Sequence, residues 1–291
     1  MSRKGWLLFA ALSVIWGIPY LLIRVAVREL TPETLVFLRT APAALLLVPL
    51  AAHRGDLRLR LLFGQWPWIL AYTAAELAVP WLLLSTAEER LSSSLSGLLI
   101  ASVPLIGAVL YRFVDQAERL DRRRLVGLIV GFIGVAALVG IDVSGSDVTA
   151  VIEVAFTALG YTIGPLLISK RLSELPALGV VSASVAITAI IYAPAGLTHL
   201  PATVSLATAL SVAGLAFVCT TLAFVLFFAL IIEVGPARST VITYINPVVA
   251  VLLGVTVLGE PLTIGIAVGL PLILAGSVLA TSRTASAEPL P

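Results

Sequence analysis

The chain has 291 residues, 59% of them hydrophobic and 12% charged, with a mean hydropathy of +1.09 and a formal net charge of +2. Soluble domains carry roughly 25% charged residues, so a water-facing globular surface is excluded. A single cysteine, Cys219, excludes an internal disulfide.

In chain order, the start MSRKGWLLFAALSVIWG has a basic segment and then an apolar run. The run outlasts a signal peptide and lacks a small-residue cleavage site, so a retained first helix is expected. Ten apolar runs follow one another at 5–27, 33–52, 66–86, 92–113, 125–141, 149–169, 176–196, 209–232, 239–258 and 263–281. Each matches the roughly 17–25 residues that cross a bilayer core as a helix. Open strands leave backbone groups unpaired in lipid, so these runs are expected to be helical. Connections are short, the longest being 53–65 and 114–124. His53 and His199 fall in predicted loops and are poor metal ligands. No GxGxxG, P-loop or CxxC occurs, and no cofactor is expected.

With the N-terminus in the cytoplasm, the inside segments hold Arg3, Lys4, Arg54, Arg58, Arg60, Arg112, Arg119, Arg122, Arg123, Arg124, Lys170, Arg171, Arg238 and Arg283. The outside loops hold only Arg28 and Arg90. The asymmetry fits the positive-inside rule and places both termini in the cytoplasm. The run Asp121–Arg124 fits topology and lipid headgroups without a binding role.

A repeat crosses this layout. LLIRVAVRELTP at 21–32 returns as LLISKRLSELP at 166–176, and Glu118, Leu120, Gly127 and Gly134 return as Glu260, Leu262, Gly269 and Gly276. Five spans per half is an odd number, so the second half must be inverted. The expected fold is an all-α membrane protein: ten transmembrane helices forming two inverted five-helix repeats around a central cavity. The repeats are placed at 1–147 and 148–282, followed by a short cytoplasmic tail at 283–291.

Trp16-Gly17 in the first span, Pro104 followed by a charged loop, GLIVGFIGVAALVG in the fifth span and NPVVAVLLGVTVLGEPLTIGIAVGLPLILAG across the last two share one order and spacing. In these the chain resembles the ten-helix EamA-type branch of the drug/metabolite transporter superfamily, over nearly its whole length. It departs in the sixth span, where Glu153 lies near the start and Gly160-Tyr161 stands where a tryptophan is common. The resemblance implies a bundle whose central cavity opens alternately to each side, exporting amino acids, other metabolites or organic cations. A monomer in the inner or plasma membrane is compatible with it.

The candidate residues follow from position. Glu76 sits mid-span, about 15 Å from either end by helix rise. A charge there costs at least about 2.5 kcal/mol on insertion scales. It is read as a proton carrier or a counter-charge for an ammonium group, against a neutral acid hydrogen-bonded between helices. Its repeat equivalent is near Cys219, itself read as packing. Arg39 lies about 10 Å inside the outer end of its helix and has gating, carboxylate-binding and snorkelling readings; Arg24 is expected to snorkel. Arg39 and Glu153 are expected to form an outer-gate pair.

Trp16, Tyr20, Tyr161 and Tyr244 fall near mid-membrane, with Trp16 matched to Tyr161 by the repeat. They suit a flat apolar or cationic cargo and equally suit packing. Trp66 and Trp68 read as interfacial anchors. Pro104 and Pro247 are repeat-related kinks. Nearby Ser102, Thr220 and Asn246 either bind cargo or satisfy the kinks, with Asn246 assigned to the pocket.

Phosphorylated cargo is disfavoured because the spans offer only Arg39 and Arg24 as cations. The cargo class is therefore zwitterionic or cationic and partly apolar, with aromatic amino acids fitting and protons a further candidate partner. A multidrug or organic-cation exporter is the second reading. A membrane-embedded enzyme is the different-class alternative; no His or Cys cluster and no acid–base pair supports it.

Overall fold

The computed structural model describes residues 2–114, 121–143, 147–235 and 239–281. The sequence readings on Glu118, Arg119, Arg238, Arg283 and the 283–291 tail lie outside these. Among the described residues ten helices are long and apolar enough to cross a membrane. They are span 1 (Arg3–Ala26), span 2 (Pro32–His53), span 3 (Trp66–Ala87), span 4 (Ser93–Leu110), span 5 (Arg122–Asp142), span 6 (Val148–Arg171), span 7 (Ala177–Thr198), span 8 (Leu206–Val234), span 9 (Val241–Leu258) and span 10 (Ile264–Thr281). A short helix, Leu59–Gly64, precedes span 3. The end of the bundle where the chain enters span 1 is called proximal below, and the other end distal.

Side-chain caps stop the helix ends from fraying. Ser2, Thr31, Ser92, Asp121 and Ser205 each accept a backbone N–H at the start of a span. Leu45, Ile190 and Ile232 are 76%, 72% and 87% exposed. In water such a surface would aggregate; in lipid it is the solvated one.

The bundle is held by two extensive helix pairs, span 5 with span 10 and span 2 with span 7. Within each pair the partners occupy the same place in the two repeats. Gly127 lies against Gly276 and Ala280, while Gly134 lies against Gly269, Leu272 and Ile273, so spans 5 and 10 run antiparallel. Gly127 and Gly134 are the repeat equivalents of Gly269 and Gly276. The contact is thus reciprocal, as a two-fold relation between equivalent surfaces requires. Spans 2 and 7 behave alike: Phe37 meets Gly196, Ser182 donates to the Leu47 carbonyl at 3.1 Å, and Gly179 meets Asp56. Spans 2 and 7, like spans 5 and 10, therefore run antiparallel.

Helices in lipid gain no hydrophobic drive toward each other, so close backbone approach through small residues carries the association. A methyl group on Gly276 would collide with the backbone of Gly127 and Gly131, whereas one on Gly140 would meet open space. Gly276→Val should therefore lose about 1–3 kcal/mol through overpacking, and Gly140→Ala should be silent. Thermal unfolding of the two variants in one detergent checks this.

Candidate functional site

The middle of the bundle is where regular helix gives way. Span 3 is π-helical over Thr73–Ala78 and span 8 over Gly214–Leu222. The offset that relates Glu76 to Cys219 superposes these two segments, so the departure belongs to both repeats. A π turn leaves carbonyls to be satisfied five residues on. In span 8, Thr220 and Thr221 do this, donating to the carbonyls of Leu215 and Ala216 at 2.8 and 2.9 Å. Spans 4 and 9 are interrupted as well. Span 4 turns at Ala101–Ser102 before a helix restarts at Val103. Span 9 begins as a 3-10 segment, Thr240–Tyr244, and becomes α-helical at Asn246. Pro104 and Pro247 occupy the first turns after these breaks, where a missing N–H costs nothing.

Arg39 stands at this level and is 7% exposed. Its Nε donates to Thr220 Oγ1 at 2.9 Å, and its guanidinium carbon lies 3.7 Å over the Trp81 ring. Among the described residues it forms no ion pair. Tyr161 lies beside Trp81, in the field of both Arg39 and Glu76. Tyr20 is buried and in the field of Arg39 and Tyr161. Glu76 is half-buried, with Oε2 enclosed and lacking a hydrogen-bond partner. Its carboxylate occupies space that a side chain at Gly164 would fill.

The aromatic residues repeat the reciprocity of the glycines. Trp16 packs on Phe227 and Phe224 of span 8, at ring separations of 4.8 and 6.3 Å, with Phe228 stacked beyond at 6.3 Å from Phe224. Trp81 and Phe224 are related by the same offset as Glu76 and Cys219. Each half's first helix therefore sets its aromatic ring, Trp16 or Tyr161, against the third helix of the other half.

Several of the expected residues make hydrogen bonds within or between spans. Ser102 donates to the Leu99 carbonyl at 2.7 Å, closing the break in span 4. Asn246, read from sequence as a pocket residue, directs its amide nitrogen to the carbonyls of Ile242 at 2.9 Å and Ser13 at 3.0 Å, tying span 9 to span 1. The Tyr244 hydroxyl pairs with Thr281 at 2.5 Å, joining spans 9 and 10. Arg24, near the distal end of span 1, donates to the Glu88 carbonyl at 2.5 Å. The expected Arg39–Glu153 pair is not formed here. Glu153 binds Arg90 at 2.9 Å, because the loop after span 3 carries that guanidinium over the start of span 6.

Four polar ties join the repeats at the distal end. Besides Arg90–Glu153, Thr263 donates to Asp142, Ser205 N donates to Glu29 at 2.8 Å, and Glu260 clasps span 4. The Glu260 carboxylate accepts from the Ser93 and Ser94 backbone N–H groups at 2.8 and 2.9 Å and from both hydroxyls. A carboxylate on the unpaired N–H groups of a helix start is favoured by hydrogen bonding and by the helix dipole. The chain reaches this position through Gly259, whose φ of +67° turns the end of span 9. Gly254 leaves room, since a side chain there would strike Ser94 and Glu260.

The sequence profile of the EamA-like transporter family matches residues 3–140 and 148–282. The chain belongs to that family. It is 31% identical to an uncharacterized inner membrane transporter, YedA, of Escherichia coli K12, covering 87% of this chain and 82% of the relative. It is 27% identical to a probable amino-acid metabolite efflux pump of Salmonella typhimurium, covering 95% and 94%. With the uncharacterized transporter YvbV of Bacillus subtilis it shares 24% identity over 96% and 92%. A solved crystal structure shares the fold, with a TM-score of 0.68, 20% identity and coverage of 97% and 98%.

Sequence reasoning missed Trp81, the Phe224–Phe228 group and Glu260 as a clasp. The first two carried a signal: the repeat places large aromatics at matched positions in spans 3 and 8. The clasp predicts that Glu260→Ala loosens the distal end. Buried Cys219, 1% exposed, reports on this as the one thiol in the chain. Its maleimide labelling, followed by mass, should accelerate at least several-fold in the variant, and an unchanged rate would show that Glu260 does not hold this end.

Proposed function

We propose that this membrane transporter exports zwitterionic metabolites, foremost amino acids and aromatic ones among them, by alternating access. The observation that carries the reading is the Arg39 guanidinium, buried in the bundle interior without an ion pair among the described residues. Burying a charge in the membrane is costly, and such groups mark cargo paths. Arg39 offers a carboxylate its forked donors. Glu76, with one enclosed oxygen unbonded, supplies the opposite charge for an ammonium group. Trp81, Tyr20 and Tyr161 provide the apolar faces for a side chain. The printed name of the Salmonella relative points the same way.

We further propose that both termini are cytoplasmic, on the strength of the arginine and lysine asymmetry. The distal end is then external. Export of organic cations is the second reading, favoured by Glu76 together with the aromatic rings. It differs in needing no part from Arg39.

Counterflow in proteoliposomes separates the two. Saturable exchange is expected for free amino acids and should weaken when the carboxylate is amidated or the amine acetylated. Hydrogen bonds to charged groups contribute about 1.5–3 kcal/mol, so Arg39→Gln should raise KM at least about tenfold. Glu76→Gln should raise it likewise for zwitterions. Exchange of amines alone, unaffected by Arg39→Gln, would select the cation reading and sink the first.

A further inference from the structure

Glu88, the residue after span 3, carries the least satisfied carboxyl in the described structure. The residue is 0% exposed, and neither Oε1 nor Oε2 has a hydrogen-bond partner. Its backbone is fully used: the N–H donates to the Leu84 carbonyl at 3.0 Å, and its own carbonyl receives Arg24. The groups facing the carboxyl are Arg24 and Tyr20 from span 1, Arg39 from span 2, Tyr161 from span 6 and Glu260 from the loop after span 9. Both cations are committed elsewhere, Arg24 to the Glu88 carbonyl and Arg39 to Thr220 and Trp81. Along its own turn, Glu89 is exposed and Arg90 is held by Glu153.

Two carboxyls therefore share the distal end with opposite fates. Glu260 accepts four hydrogen bonds. Glu88 accepts none, and an ionised carboxylate enclosed without donors is strongly disfavoured. Burial pushes its carboxyl well above the usual carboxylate range, against the pull of Arg24 and with the repulsion of Glu260.

We propose that Glu88 is a proton site coupled to opening of the distal end. The closed end holds Glu88 neutral. When that end loosens, water reaches the carboxyl, the proton leaves, and Arg24, already on the same residue, becomes its counter-ion. The sign follows from linkage: the enclosed carboxyl binds its proton more tightly than the hydrated one, so acid favours closure and rising pH favours opening. The proton leaves and returns through the same end, so Glu88 sets how readily that end opens and carries no proton across. Glu88 is thus assigned the proton and Glu76 the cargo, an assignment that rests on the transport reading above.

The test uses the full chain in proteoliposomes and, separately, infrared difference spectroscopy of protonated carboxylic acids. In the wild type, acidifying the distal side should slow amino-acid counterflow at least several-fold, because the bound proton holds that end closed. Glu88→Gln should make counterflow indifferent to distal pH, at about the rate the wild type shows in acid. It should also remove one protonated-acid carbonyl band present at neutral pH. Glu88→Asp should retain the band at a shifted position, and decides the matter if the glutamine variant does not fold. Wild-type counterflow indifferent to distal pH, pH dependence retained in Glu88→Gln, or a band unmoved by either substitution would overturn the proposal. Absence of counterflow for every substrate in the wild type would instead overturn the transport reading, while the infrared band still tests Glu88.

Discussion

Hydrocarbon offers a peptide no hydrogen bonds, and that constraint arranges everything else in this molecule. Each backbone group must be paired within the protein, so departures from α-helix survive only where other groups of the protein complete them. Here they gather at one level. The π segments of spans 3 and 8, the turn at residues 16–18 that interrupts span 1 and the breaks in spans 4 and 9 all fall within the bundle, where Thr220, Thr221, Ser102 and Asn246 supply bonds. The same level holds Arg39, Glu76 and the aromatic rings. Irregular backbone and polar side chains share the interior because neither is tolerated at the lipid face.

On this scaffold, symmetry and its failure divide the labour. Reciprocal contacts, glycine against glycine in spans 5 and 10 and ring against ring between spans 1 and 8 and spans 6 and 3, keep the halves matched. Charge breaks the match. Glu76 answers to Cys219, and Arg39 to a small residue near Ala183. A strictly symmetric interior would offer a polar cargo two equal half-sites. The unmatched pair gives the interior a direction, and the proposed zwitterionic cargo has the two charges to match it.

The spans, their number and the glycine contacts were legible in the sequence because they depend on length, hydropathy and period, quantities each residue reports for itself. Glu76 and Arg39 were legible as charges in apolar runs, for the same reason. Partners were not. Whether Arg39 meets Glu153 or Thr220 depends on the rotation of span 2 about its axis, which packing across the repeats decides. Asn246 looked like a pocket residue because nothing in its own segment shows that the Ser13 carbonyl stands opposite. Glu88 was hidden by position: at the end of a span, Glu88 and Glu89 look alike, and only the turn that buries one and exposes the other tells them apart. Glu260 was visible as half of a repeat pair, but its destination on Ser93 and Ser94 required the left-handed turn at Gly259.

The π segments also bear on how such a helix changes shape. A π turn is an extra residue held in an otherwise continuous ladder, and the ladder closes on either side of it. It behaves as a dislocation that can glide. Shifting it past one residue turns that residue by about 100° around the axis, with the chain beyond left in register. Span 3 has such a defect around Glu76 and span 8 has one around Thr220. Glide in either would swing a carboxylate or a hydroxyl between facing its neighbours and facing the interior, without melting a helix in lipid.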